Sequence, residues 1–182
     1  KEQEALTRIY ELKALTSQIN PHFLYNTLDT IIWMAEFQDH KKVVEITKAL
    51  SNYFRLSLNA GNELVTLQQE IEHVRQYLFI QKERYGDKLN YRIDFSEEIP
   101  QVMIPKIVIQ PLVENAIYHG IKEIDRPGQI DITLLKIDEW IEICIADNGV
   151  GMTGEATSTK QLGGIGIKNV TERLKLFFGE AF

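Results

Sequence analysis

Apolar residues recur along this chain with two different periods, and the change from one to the other divides it. Over residues 2–37, Leu6, Ile9, Leu12, Leu15 and Ile19 return at helical spacing, which gathers them on one face. One long helix is predicted there. Pro21 interrupts it, and a kink is expected because proline lacks a backbone donor and crowds the preceding turn. After the polar stretch 38–42, Val43, Ile46, Leu50, Phe54 and Leu58 keep the helical period and predict a second helix over 43–58. A short connection makes the two helices antiparallel neighbours. Such a hairpin exposes much of its apolar stripe, so pairing with a second copy as a four-helix homodimer is expected.

Thr66 and Gln69 have capping-box spacing, and they open a predicted helix that Gly86 stops after Tyr85. His73, among Glu70, Glu72 and Arg75, is assigned to its polar face. The period then shortens to two at Leu89, Tyr91, Ile93 and Phe95, the signature of a half-buried strand. An irregular link between Pro100 and Pro105 leads to a predicted helix over 106–119, distorted near Pro111 and stopped by Gly120. Strands are predicted over 129–136 and 140–147, with a tight turn near Asp138. Residues 153–161 are small, polar and aperiodic, hence a loop, and glycines at 163–166 precede a last helix over 167–178. Trp33 and Trp140 are expected in the core or at an interface. His40 is expected in a loop.

Composition changes this picture little. The chain has 182 residues with 44% hydrophobic and 25% charged content, ordinary for a globular protein. Its net charge of -6 implies no basic surface and argues against a nucleic-acid partner. Cys144 is the one cysteine, so there is neither a disulfide framework nor a cysteine metal cluster, which fits a reducing compartment. The most apolar run, 104–113, is short and carries Lys106, Pro105 and Pro111, so it does not span a bilayer. The first residue is Lys1 rather than Met, which reads as a piece of a longer protein with room for a membrane anchor upstream.

Three stretches could carry chemistry. Asp147-Asn148-Gly149-Val150-Gly151 ends a strand with a carboxylate able to accept from an adenine amino group, and its glycines let backbone N–H groups approach a ring or phosphate. The same letters also make an ordinary turn. Glu114 and Asn115 break an apolar helix; the Asn115 amide oxygen suits Mg²⁺, although bonding to backbone is the plainer use. Gly163-Gly164-Ile165-Gly166 before a helix offers N–H donors to an anion, and Lys168 adds a full charge. Earlier, Gln18-Ile19-Asn20-Pro21-His22-Phe23-Leu24-Tyr25-Asn26 sets an imidazole beside a helix break. His22 is either a satisfied histidine in a helix seam or a nucleophile presented to a partner.

Taken together and in this order, the three stretches resemble the nucleotide site of the GHKL ATPase superfamily. Combined with Asn-Pro-His-Phe-Leu and the two following helices, the chain resembles the sensor histidine kinases of the LytS and YesM type. That resemblance implies an α+β protein: a dimerising hairpin over 1–62, and an ATP-binding α/β sandwich with a mixed sheet over 63–182. It implies ATP and Mg²⁺ as cofactors, with Asn115 on the metal, Asp147 reading adenine, and Gly149 and Gly151 shaping the pocket. It places Gly164 and Gly166 at the phosphates and residues 153–161 as a lid. His22 would take the γ-phosphoryl group and pass it to an aspartate on a response-regulator receiver domain. The chain would be the cytoplasmic portion of a bacterial plasma-membrane receptor whose sensor segment is not in this sequence.

Two departures stand out. Many sensor kinases have an acidic residue directly after the histidine, whereas here it is Phe23, with Asn26 matching a polar position further on. Glu114 is then a candidate base. Relatives also continue past Gly179 with strands that complete the sheet, so an exposed sheet edge is expected. His119 could touch phosphate or ribose, or simply end its helix, and Tyr118 and Lys122 stand likewise. Two rivals remain: an ATP-driven switch of the same superfamily, and a non-catalytic dimeric module, each with a structural His22.

Overall fold

Asn20 has extended backbone, and its side chain accepts a hydrogen bond from Phe23 N at 3.3 Å, so helix α1 (Pro21–Glu36) begins afresh here. Proline is well placed in a first turn, where its missing N–H would have no partner anyway. This corrects the kinked continuous helix: at Pro21 the chain starts a helix rather than bending one. The computed structural model describes residues 20–58, 62–95, 100–151 and 162–179, so the stripe from Leu6 to Ile19 lies outside the described residues, as does the loop 153–161.

Helix α2 (His40–Leu58) runs back along α1. It begins earlier than its apolar period predicts because Asp39 Oδ1 accepts from Lys42 N at 3.1 Å. His40 is therefore in the first helical turn, exposed, rather than in a loop. Strand β1 (Leu64–Thr66) leads into α3 (Leu67–Tyr85), which has the expected capping box between Thr66 and Gln69. Gly86, at φ +59, ends α3, and a short 3-10 turn leads to strand β2 (Leu89–Phe95).

Strand β3 (Met103–Pro105) pairs antiparallel with β1, a ribbon the alternation did not predict. Helix α4 (Gln110–Asn115) follows and widens into a π-helical turn over Ala116–Ile121, in which Lys122 N donates to Ile117 O at 2.9 Å. The predicted start near residue 106 is too early. Pro111 fits the first turn of a helix, and the N–H groups of Ile107, Val108 and Ile109 are all taken by the Glu70 carboxylate at 2.8–2.9 Å.

Strands β4 (Gly128–Ile137) and β5 (Trp140–Asp147) complete a mixed sheet of order β2-β4-β5, parallel between β2 and β4 and antiparallel between β4 and β5. A helix-bearing connection is what parallel neighbours require, and α4 supplies it. Asp138 makes the β4–β5 turn at φ +55. Helix α5 (Leu162–Phe178) is the last element, and its backbone takes in Gly163–Gly166 where the sequence predicted a preceding turn. One core joins everything: Phe23, Ile46 and Tyr53 from the hairpin, Val74, Tyr77 and Leu78 from α3, Val113 and Ile117 from α4, and Ile130 and Ile132 from the sheet. The protein is thus α+β, as expected. The tryptophans are not core residues: Trp33 and Trp140 are each 60% exposed.

Candidate functional site

His22 occupies the first turn of α1 with its side chain exposed. Asn26 Nδ2 lies 3.1 Å from both ring nitrogens, so the amide can donate to whichever one is unprotonated. The next residue, Phe23, is buried, packed on Tyr53 and Tyr77 with ring centroids 4.8 and 5.1 Å away. A capped start on one side and an aromatic anchor on the other fix the backbone that presents the imidazole.

The second pole is built where β5 meets the π-helical turn. Asp147, exposed at the end of β5, accepts from Gly149 N at 2.8 Å through Oδ1. The turn then lies flat against Gly120: Val150 N donates to Gly120 O at 3.2 Å. A Cβ on Gly149 would sit 2.3 Å from the Gly120 carbonyl carbon, and one on Gly120 would sit 2.5 Å from Asp147 Oδ1. Gly149 therefore excludes a side chain, a Cβ at Gly120 would have to displace the Asp147 carboxylate, and Gly151 adds a left-handed φ of +71. Asn148 pins the turn to β4, accepting Gln129 N at 2.8 Å, while Arg126 donates to its carbonyl.

Asn115 and Glu114 stand at the end of the α-helical part of α4, both half-buried, a turn before Gly120. A widened turn just after such residues is a frequent feature of binding sites. Glu114 Oε1 accepts from Gln110 Nε2 at 2.8 Å, and burial pushes its carboxyl above the usual range, with the Gln110 bond opposing. His119 is exposed on the π turn. Gly164 and Gly166 fall in the opening turns of α5, and Lys168, exposed on the same helix, lies 3.8 Å from Glu172. The structure thus gathers Gly120, Asp147 and Gly149 in direct contact, with Asn115 on the adjoining helix.

Three polar residues that periodicity assigned to the surface, or left unremarked, are buried. His73 is 3% exposed rather than on a polar face. It stacks on Tyr53 at 4.6 Å and lies 2.7 Å from Ser57 Oγ. Glu70, 2% exposed, holds the entry to α4 through three N–H groups, and Ile107 there has a φ of +59, unusual for a β-branched residue. Lys106 O on the same loop accepts from Arg173 of α5 at 2.9 Å. Gln110 donates to Tyr53 OH at 2.8 Å. Glu70 and His73 share the helical face of Leu67, Ile71, Val74 and Tyr77, and Gln110 follows the apolar run 107–109; those positions were the available signal. A cavity of about 210 Å³ between α3, β2 and the π turn includes Tyr85, Lys88 and Lys122. An apolar groove of about 570 Å³ lies between β5, α4 and α5, and neither hollow is lined by Asn115 or Asp147.

Residues 10–89 match the family model described as Histidine kinase. Over the whole chain the sequence is 38% identical to the sensor histidine kinase YesM of Bacillus subtilis (strain 168), covering 31% of that protein. It is 35% identical to the sensor histidine kinase BtsS of Escherichia coli (strain K12) over 99% of this chain and 31% of BtsS. It is also 35% identical to the sensor protein LytS of Streptococcus mutans over 100% of this chain and 32% of LytS. The chain therefore spans about a third of the length of these relatives. Among the described residues, no helix is long and apolar enough to cross a membrane.

Proposed function

We propose, from the match of residues 10–89 to the Histidine kinase family model and the identity of 35–38% to sensor histidine kinases, that the chain is the phosphoacceptor and ATP-binding portion of a two-component sensor kinase. His22 takes the γ-phosphoryl group of ATP and hands it to an aspartate on a response-regulator receiver domain. Residues 1–62 serve as the dimerising, phosphoaccepting hairpin and 63–182 as a GHKL-type ATP-binding sandwich. The exposed Tyr25, Leu28 and Ile32 of α1 support pairing of two copies along that helix. The chain is then the cytoplasmic side of a bacterial membrane receptor.

The observation that carries the reading is the presentation of His22: an exposed ring on a backbone fixed by the Asn20 cap and the Phe23 anchor. A neutral imidazole nitrogen attacks the γ-phosphorus, the N–P bond forms, the bond to the β-γ bridging oxygen breaks, and ADP leaves. Protein chemistry is mostly placement and charge. Asp147 Oδ1 is occupied by Gly149 N, which leaves Oδ2 to accept from the adenine amino group. Gly149 and Gly120 keep that face of the turn free of side chains. Gly164, in the first turn of α5 where N–H groups have no partner within the helix, and Lys168 would bring a backbone donor and a cation to the phosphates, whereas the Gly166 N–H lies a turn inside the helix.

Among the described residues, no group of three His, Cys, Asp or Glu side chains could hold a metal. A Mg²⁺ ion would instead be held chiefly by phosphate oxygens and water, with the Asn115 carboxamide as its protein ligand. Held there, the ion would supply charge neutralisation at the phosphates. Incubation with γ-labelled ATP tests the proposal: an acid-labile, base-stable label is expected, and it should vanish in His22→Gln. ATP binding without any label, or a label that survives His22→Gln, refutes it.

A further inference from the structure

Phe23 stands next to His22, and Glu114 stands next to Asn115. The two pairs belong to segments far apart in sequence, yet one buried side chain joins them. Tyr53, on α2, is 2% exposed. Its ring packs against Phe23 with centroids 4.8 Å apart. Its hydroxyl accepts from Gln110 Nε2 at 2.8 Å, and the same nitrogen donates to Glu114 Oε1 at 2.8 Å. An amide nitrogen carries two hydrogens, so both bonds exist together. The chain Phe23–Tyr53–Gln110–Glu114 therefore runs unbroken from the histidine helix to the nucleotide helix.

We propose that Tyr53 is a positioning residue for phosphoryl transfer, its ring fixing the start of α1 and its hydroxyl fixing, through Gln110, the turn of α4 that bears Glu114 and Asn115. This rests on the kinase reading above.

Two features set the link apart from ordinary packing. A phenylalanine would satisfy the aromatic contact with Phe23 equally well, whereas the buried hydroxyl needs a polar partner and finds it on a different segment. The Gln110 Nε2 also bridges two segments, donating to Tyr53 on α2 and to Glu114 one turn on along α4.

Transfer needs the imidazole nitrogen and the γ-phosphorus brought together in line, and small misplacements slow such steps steeply. Nucleotide affinity depends on the turn at Asp147 and on α4, whose two ends are held separately by Glu70 and by the Gly120 contact. Loss of the tie should therefore slow the chemistry without loosening ATP.

The test measures His22 labelling against ATP concentration in wild-type protein, Tyr53→Phe, Gln110→Met and the double variant, with melting temperatures taken alongside. Each single change is expected to lower the maximal rate about tenfold while KM for ATP stays within about twofold. The double variant should be no slower than either single one, because both break one link. Tyr53→Phe at the wild-type rate, a parallel loss of rate and ATP affinity, or summed losses in the double variant overturns the proposal. Gln110→Met alone decides the matter if Tyr53→Phe does not fold. If wild-type protein acquires no label on His22, the kinase reading falls and Tyr53 falls with it. A labelled wild type with an unaffected Tyr53→Phe removes Tyr53 only.

Discussion

Acidification from about pH 7 to about pH 5 should cost this fold about 2 kcal/mol through one side chain, His73. The residue is 3% exposed and stacks on the Tyr53 ring. Ser57 donates its hydroxyl hydrogen to Tyr53 O at 2.9 Å, so toward His73 Nε2, 2.7 Å away, it can only accept. The imidazole therefore carries a hydrogen on Nε2. Burial pushes its pKa down from 6.5 to about 4. Between those values the unfolded chain binds a proton that the folded chain refuses. Stability is complete above the unfolded pKa, falls as pH drops through the window, and levels off below the folded one.

At about 1.36 kcal/mol per unit, the whole window is worth about 3 kcal/mol, of which about 2 kcal/mol is lost by pH 5. Carboxylates elsewhere also titrate, so the comparison is with His73→Gln, which keeps an N–H donor for Ser57 but binds no proton. Urea unfolding curves at both pH values give the answer. With a slope of about 2 kcal/mol/M, the wild-type midpoint should fall about 1 M further than that of the variant. Parallel falls in the two proteins would show that His73 is not held neutral by the fold.

Gly149→Ala places a Cβ 2.3 Å from backbone that cannot yield, so the Asp147 turn shifts; affinity for a fluorescent ATP analogue should drop at least about tenfold, and unchanged binding would dissociate this turn from the nucleotide. Asn115→Ala should abolish Mg²⁺-dependent labelling while sedimentation finds the same oligomeric state as the unsubstituted chain; full labelling would take Asn115 off the proposed metal. Glu70→Gln keeps one oxygen for Val108 and Ile109 but turns an NH₂ toward Ile107 N. It should lower stability by about 1–3 kcal/mol in denaturant, and a variant as stable as wild type would mean the clasp is dispensable.

Elements whose causes are local could be read from the sequence. The capping box at Thr66 and Gln69, the stop at Gly86, and the alternation of β2 and β5 each arise within a few residues, and all are present. Pro21 was misjudged because the same residue breaks a helix interior and favours a first turn, and only the Asn20 cap decides between them. The β1–β3 ribbon stayed hidden since strands as short as Leu64–Thr66 are too brief for alternation, and its partner lies far along the chain. Likewise α4 starts at Gln110 because Glu70, on another helix, takes the preceding N–H groups. Gly149 was singled out for room beside a ligand, but the crowding that requires it comes from Gly120, far back along the chain, while Gly151 is required by its own left-handed φ.

Buried polar residues were the hardest to place, because residue type assigns them to solvent whereas partners from distant segments draw them inside. On α3 the buried face carries Leu67, Glu70, Ile71, His73, Val74, Tyr77, Leu78 and Gln81, so its polar members share the apolar stripe. Glu70 reaches forward to the entry of α4, and His73 reaches back to Ser57 on α2. Helix α3 is thereby bonded to the hairpin on one side and to the entry of α4 on the other. The proposed division at residues 62 and 63 is consequently no seam of loose apolar contact. Apolar surfaces can slide past one another at small cost, but buried hydrogen bonds are directional and costly to leave unmade. Movement of the hairpin against the nucleotide site would have to exchange the bonds at Tyr53, Ser57 and Glu70 for others. Such an exchange would proceed between discrete arrangements rather than by continuous drift, which is what the proposed signalling role would require.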